Sequence, residues 1–222
     1  MEFRIHNEGW VYLVSSIILT IIVIPFFKVL GGLFLLLSFF IFYFFRDPKR
    51  VIPSDKFIIS PADGIITYIG ESKAPINDLE NKNSYKKISI FLSIFNVHVN
   101  RIPVDGKIKY IKYISGKFIN ASLDKSSDKN ERNIVCIENH SHFFYVVQIA
   151  GLIARRIVCE VSEDQEIEKG DRLGIIKFGS RVDLYIPNKF EVLVAKGQKV
   201  VGGETIISNP ESLKKIKSTK LK

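Results

Sequence analysis

The 222-residue sequence has two cysteines, one methionine, one tryptophan and four histidines, and these scarcities exclude several explanations. Cys136 and Cys159 belong to no Cys-x-x-Cys or Cys/His pattern. Both sit in apolar runs and read as small buried thiols of a reducing compartment, with a disulfide as the alternative. His140 and His142 lack a third candidate ligand at useful spacing, so no metal site is expected. Alanine is absent before Ala62, and the first apolar run is far longer than the h-region of a signal peptide, which argues against a cleaved leader. Charge is nearly missing from residues 1–45, where Glu2 and Glu8 cancel Arg4 and Lys28, so the formal excess of +9 sits on residues 46–222. With no helix-turn-helix and no aromatic-basic module, that basicity suits an anionic membrane surface better than nucleic acid.

What is present begins with two apolar stretches, Trp10–Phe27 and Val29–Phe45, of 18 and 17 residues. Each approaches the ~20 residues of a membrane-crossing helix, and Pro25 with Gly31-Gly32 supplies a turn between them. Arg46-Asp47-Pro48-Lys49-Arg50 follows as a cationic stop, placing both ends of a helical hairpin in the cytoplasm. Spanning and in-plane insertion both remain open on these lengths.

From Val51 onward the pattern changes to short runs rich in Ile, Val, Tyr and Phe. Residues 64–69, 87–92, 107–114, 133–138, 143–149, 181–186 and 190–195 read as strands. Residues 71–86 and 115–132 read as polar loops. Ile167–Leu173 is echoed by Val194–Val200, each turning on Lys-Gly, which resembles the turns of lipoyl-like sandwiches. The fold expected is mainly β, α+β at most: a hydrophobic helical hairpin, then a β-sandwich-like, lipoyl-like domain. The boundaries expected are 1–45 for the anchor, 46–208 for the catalytic domain and 209–222 for a basic tail.

Three clusters carry chemistry: Pro61-Ala62-Asp63-Gly64, Phe95-Asn96-Val97-His98-Val99-Asn100-Arg101, and Phe178-Gly179-Ser180-Arg181. Alone, each has an ordinary explanation, since Asp-Gly is a common turn, strand histidines are usually structural, and Gly-Ser is unspecific. Together, and with Phe44-Phe45-Arg46-Asp47-Pro48, Gly116-Lys117-Phe118, Asn120–Lys125, Glu131-Arg132-Asn133, Gln148–Gly151 and Lys169-Gly170-Asp171, they resemble the short, archaeal-type branch of the phosphatidylserine decarboxylase proenzymes.

The resemblance implies self-cleavage between Gly179 and Ser180, giving a large chain 1–179 and a small chain 180–222. It implies a covalent pyruvoyl cofactor made from Ser180, which forms a Schiff base with phosphatidylserine and releases phosphatidylethanolamine. His98 held by Asp63 would activate Ser180, by the logic of a Ser-His-Asp relay. Arg101 is a candidate contact for the lipid phosphate or carboxylate, with a solvated strand arginine as the alternative. The expected location is the cytoplasmic membrane, with the catalytic domain facing the cytoplasm. The chain departs from the longer family members in carrying His98 alone, with Arg101 three residues on, and Phe-Gly-Ser-Arg at the cleavage site. Two other classes compete: a membrane-anchored serine hydrolase, which lacks a Gly-x-Ser-x-Gly elbow here, and a non-enzymatic lipoyl-like adaptor.

Overall fold

The structure is a computed structural model describing residues 4–54, 56–76, 84–116, 130–151, 156–177 and 180–209. The apolar N-terminus folds into α1 (Asn7–Val23) and α2 (Lys28–Phe44), joined at Pro25, which has no N–H to extend the first ladder. Small and polar side chains line the seam between them: Gly9, Ser16, Thr20, Gly31 and Ser38 are buried. The Ser16 and Ser38 hydroxyls meet at 2.9 Å, and a Cβ on Gly31 would come within 2.5 Å of the Ile24 Cα. Bulky apolar residues, among them Val14, Ile18, Ile22, Phe26, Leu33 and Phe39, point outward. Each helix has 17 residues, about 26 Å at 1.5 Å per residue, against ~30 Å for a bilayer core. Among the described residues no helix is long and apolar enough to cross a membrane.

The remainder is mainly β, as expected. In chain order the strands are β1 (Ile58–Ile59), β2 (Gly64–Ser72), β3 (Tyr85–Leu92), β4 (Val99–Arg101), β5 (Gly106–Ile114), β6 (Arg132–Asn139) and β7 (His142–Ala150). They continue with β8 (Ile157–Cys159), β9 (Glu166–Ile167), β10 (Arg172–Ile176), β11 (Ser180–Pro187), β12 (Glu191–Val192), β13 (Lys199–Val200) and β14 (Ile206–Asn209). One antiparallel sheet has the order β13-β2-β3-β11-β7-β6-β5-β9, beside two small sheets, β4-β10-β8 and β1-β14-β12. Six of the seven expected strands appear nearly in place, whereas the 190–195 run keeps only two residues as β12. The echoed Lys-Gly turns are both real. Gly170 and Gly197 have φ of 92° and 88°, a region that favours glycine, and each turn leads into a strand, β10 and β13.

β11 lies near the middle of the large sheet, between β3 and β7, and is buried from Ser180 to Ile186. Its alternation separates two environments. Val182, Leu184 and Ile186 join the main aliphatic core, with Ile66, Ile90, Val146 and Leu173. On the other face Tyr185 joins Tyr85, Tyr145 and Ile134, while Arg181 and Asp183 form an ion pair at 2.9 Å. A third cluster joins the hairpin to the β region: Leu13, Ile41, Phe44 and Phe45 pack on Val97, Val99 and Ile175. The hairpin is therefore packed onto the domain at one end of the sheet.

Candidate active site

Ser180 is the first residue of β11, paired with Leu92 on one side and Ala150 on the other. It is fully buried, and its Oγ has no hydrogen-bond partner among the described residues. A buried hydroxyl without a partner costs about 1–3 kcal/mol, so a folded chain keeps one only under another constraint.

His98 follows the turn between β3 and β4. Asn96 closes that turn, its Oδ1 accepting from the Ser93 N–H at 2.8 Å. The His98 Nδ1 lies 3.0 Å from the Asn96 carbonyl oxygen. A carbonyl only accepts, so Nδ1 carries the proton and Nε2 holds the free lone pair. Among the described residues that buried Nε2 has no partner. Phe44 covers the ring at 4.3 Å between centroids. Burial lowers the His98 pKa to about 4, with the Arg46 charge acting in the same direction and the Asn96 hydrogen bond opposing it. At neutral pH the ring is an uncharged base. His98 is tied to the segment entering Ser180, because its carbonyl accepts from the Ile176 N–H at 3.4 Å.

Two residues on, Asn100 is also fully buried, and its Oδ1 accepts from Gln148 Nε2 at 2.9 Å. Gln148 Oε1 in turn accepts from Asn133 Nδ2 at 3.0 Å. Gln148 faces Val182 across the sheet, so this amide relay lies on the Ser180 face of β11. Asn100 Nδ2 is left without a partner. Ser180, His98 and Asn100 thus each carry a buried polar atom without a partner among the described residues. An arrangement of this kind can bind a polar ligand and move a proton in a water-poor setting. A pyruvoyl group at position 180 would be made from the Ser180 atoms themselves, and the partnerless buried hydroxyl fits that requirement.

Two expected contacts are replaced by others. Asp63 does not hold His98: its carboxylate takes Arg50 at 2.9 and 3.0 Å and the Gly202 N–H at 2.8 Å. Arg50 Nη2 lies against both oxygens of this half-buried carboxylate, so the charge of Asp63 is met by Arg50 and the Gly202 N–H, and these contacts tie down the Pro61–Gly64 turn. Arg101 is neither solvated nor open to a lipid. Its guanidinium bonds Asp47, the Pro48 carbonyl at 3.2 Å and the Gly170 carbonyl at 3.2 Å. Asp47 also takes Arg172 Nε at 2.6 Å, so one buried acid joins two arginines from β4 and β10.

Gly179 lies outside the described residues, as do the expected motif residues 117–118 and 120–125 and the tail 210–222. His140 and His142 are at the opposite end of the sheet, where Lys189 Nζ sits 2.7 Å from His142 Nε2. Sequence reasoning missed Asp47 and Arg50 by reading residues 46–50 as one solvated cationic stop. The acid inside a basic run was the available signal. Gln148, a polar residue in inward register within an apolar strand, was a second.

Residues 37–208 match the profile of the phosphatidylserine decarboxylase family. A phosphatidylserine decarboxylase proenzyme of Rickettsia typhi is 49% identical over 92% of this chain and 90% of its own length. That of Pelagibacter ubique is 48% identical over 92% and 96%, and that of Ehrlichia ruminantium 51% over 92% and 90%.

Proposed function

Because the chain belongs to the phosphatidylserine decarboxylase family, we propose that it is made as a precursor, cleaves itself at Gly179-Ser180, and then decarboxylates phosphatidylserine to phosphatidylethanolamine with the resulting pyruvoyl group. The observation carrying this reading is that Ser180 Oγ and His98 Nε2 are both buried without a partner among the described residues, with the His98 carbonyl bonded to Ile176, four residues before Ser180.

In the first step His98 Nε2 removes the hydroxyl proton and Ser180 Oγ attacks the Gly179 carbonyl carbon. The peptide C–N bond breaks and the acyl group moves to oxygen, leaving an ester and a free amine. Loss of the Ser180 α-proton expels the Gly179 carboxylate and leaves dehydroalanine. One water then replaces nitrogen with oxygen, releasing ammonia and leaving a ketone at position 180. A pyruvoyl group at position 180 would supply the electron sink that the substrate amine needs for loss of CO₂. The chain's own part in that second reaction is to exclude water and supply a proton to the substrate carbon. His98 carries it once protonated, because the buried ring gives its proton up readily. Asn100 Nδ2, unpaired and on the same side of β4, is available to the substrate carboxylate or phosphate.

The hairpin is the proposed membrane-binding element, with the boundary near residue 45 and the β domain on the cytoplasmic side. Its small residues face inward and its bulky apolar residues outward, the arrangement of helices packed within lipid. Ile94 and Phe95 are exposed at the turn before His98, and Arg46 ties that turn to α2 by donating to the Phe95 and Tyr43 carbonyls at 2.7 and 2.6 Å. A lipid headgroup therefore meets the domain at the His98 end.

The test is a denaturing gel and intact mass of purified protein, with decarboxylation assayed on phosphatidylserine vesicles. Two chains are expected, the small one about one ammonia lighter than a serine-started fragment. Ser180→Ala should give a single chain and no product. Active protein that remains one chain would overturn the reading.

A further inference from the structure

The strand leading toward Ser180 is held at both ends by residues of the N-terminal segment. β10 begins at Arg172, bound to Asp47 just after α2. It is followed by Lys177, whose Nζ lies 2.6 Å from Glu8 Oε2 in the first turn of α1. The Lys177 side chain is only 6% exposed and Nζ also sits 5.2 Å from the Tyr12 ring centre, over its face. Lys177 keeps Glu8 ionised, its hydrogen bond holding that carboxyl below the usual range.

From Tyr12 the contacts run without a break to the proposed base. Tyr12 stacks on Phe45 at 5.6 Å, Phe45 meets Phe44 edge-on at 5.0 Å, and Phe44 covers His98 at 4.3 Å. Phe44 and Phe45 are completely buried. A second tie fixes α1 in place. The His6 N–H donates to the Phe45 carbonyl at 2.8 Å, and His6 Nε2 lies 2.6 Å from Glu160 Oε1, beyond β8. The hairpin thus grips Lys177, three residues before Ser180, with one helix and the His98 ring with the other.

We propose that Glu8, with Tyr12 behind it, is a positioning residue for chain scission: the docked hairpin holds Lys177, next to the Ile176 that bonds the His98 carbonyl, so that a chain whose hairpin is undocked remains a precursor. The idea rests on the self-cleavage reading above. An intramolecular acyl shift depends on alignment of hydroxyl, carbonyl and base, and misplacement by about 1 Å costs on the order of a hundredfold. No atom of Glu8 takes part in the bond changes. Its effect runs through Lys177.

The experiment follows precursor disappearance on gels after synthesis of the full chain in detergent micelles. Wild type, Glu8→Ala, Glu8→Gln, Lys177→Glu and the double change Glu8→Lys with Lys177→Glu are compared at matched thermal stability. Each single charge loss is expected to slow cleavage about tenfold or more. The exchanged pair is expected to recover most of that rate, which general destabilisation would not do. Per small chain formed, decarboxylation by the Glu8→Ala protein should stay within about twofold of wild type, because Glu8 acts through Lys177, whose covalent link to position 180 is gone after scission, while Phe44 still covers His98. If Glu8→Ala lowers stability, Glu8→Gln, which keeps a hydrogen-bond acceptor, carries the measurement. Wild-type rates in the single variants, or no recovery in the exchanged pair, would overturn the proposal. A wild-type chain that never cleaves would instead sink the self-cleavage reading beneath it.

Discussion

The hairpin and the β region bury opposite kinds of side chain. Between the helices Gly9, Ser16, Thr20, Gly31 and Ser38 face inward, and the large apolar groups face out except Leu13, Ile41 and Phe44, which are buried where the hairpin meets the β region. In the large sheet the inward residues are Ile66, Ile90, Ile108, Val146 and Leu184, while exposed positions include Lys109 and Tyr113. Water drives the second arrangement, since removing apolar area from it is worth roughly 25 cal/mol per Å². It gives no reason for the first, which makes sense when the surrounding solvent is itself apolar and close backbone packing decides association. The two rules meet at Phe44, Phe45, Val97 and Val99, and His98 lies at that junction.

The most severe test of the β side is its buried ion pair. Asp183→Ala removes the carboxylate that meets Arg181 at 2.9 Å and lies 4.0 Å from Lys87 Nζ, and should lower the urea midpoint. Replacing both together, Arg181→Met with Asp183→Leu, should recover most of the loss. Additive losses would mean that the pair is not a closed unit.

Acid comes next. The folded His98 pKa of about 4 lies below its ordinary 6.5. Between those values the unfolded chain binds more proton than the folded one. The His98 contribution is therefore complete above pH 6.5 and is lost as pH falls toward 4, by about 3 kcal/mol. His98→Gln should flatten that part of the stability–pH curve. Scission by the wild type should likewise hold nearly level from pH 7 to 5, whereas a midpoint near 6.5 would place the ring in water.

A smaller effect is expected on the hairpin's outer face. Phe26 and Phe27 are 79% and 65% exposed. Changing both to Ser should weaken binding to anionic vesicles by about tenfold to a hundredfold, since each full Phe burial is worth up to ~3 kcal/mol. Unchanged vesicle binding would remove the lipid-facing role, and with it the contrast between the two regions.

How much of this was legible depended on how local the cause was. Alternation exposed β2, β3, β5, β6, β7 and β11, because a strand half in a core repeats every two residues. The glycines of the Lys-Gly turns were readable because their φ is demanded locally. The 190–195 run was misjudged in length, since β12 pairs only with β14 and its extent depends on a partner elsewhere in the chain. At the site, Ser180 and His98 stood out by motif. The role of Asp63 did not, because its partners Arg50 and Gly202 come from distant positions that only the fold brings together. Phe44 read as anchor because apolarity alone cannot separate a residue facing lipid from one covering an imidazole.

The finest distinction lies at the helix seam. Ser16 donates to the Leu13 carbonyl at 2.9 Å, and the single Ser38 hydroxyl proton is shared between Ser16 Oγ at 2.9 Å and the Phe34 carbonyl at 3.0 Å. Losing one hydroxyl therefore orphans little, because the survivor retains its local acceptor. Buried hydrogen bonds between membrane helices average about 0.6 kcal/mol in double-mutant cycles. Ser16→Ala and Ser38→Ala should each lower hairpin stability by an amount of that order, and the double variant should cost less than their sum. Volume should matter more than polarity here: Gly31→Leu, forced against Ile24, should cost more than either serine change. The measurement is a four-variant cycle in detergent, read from unfolding of the Trp10 environment on α1. Strict additivity would show that the hydroxyls are only neighbours. A Gly31→Leu effect smaller than the serine effects would mean that the seam is loosely packed, and the opposition between hairpin and sheet would lose its structural basis.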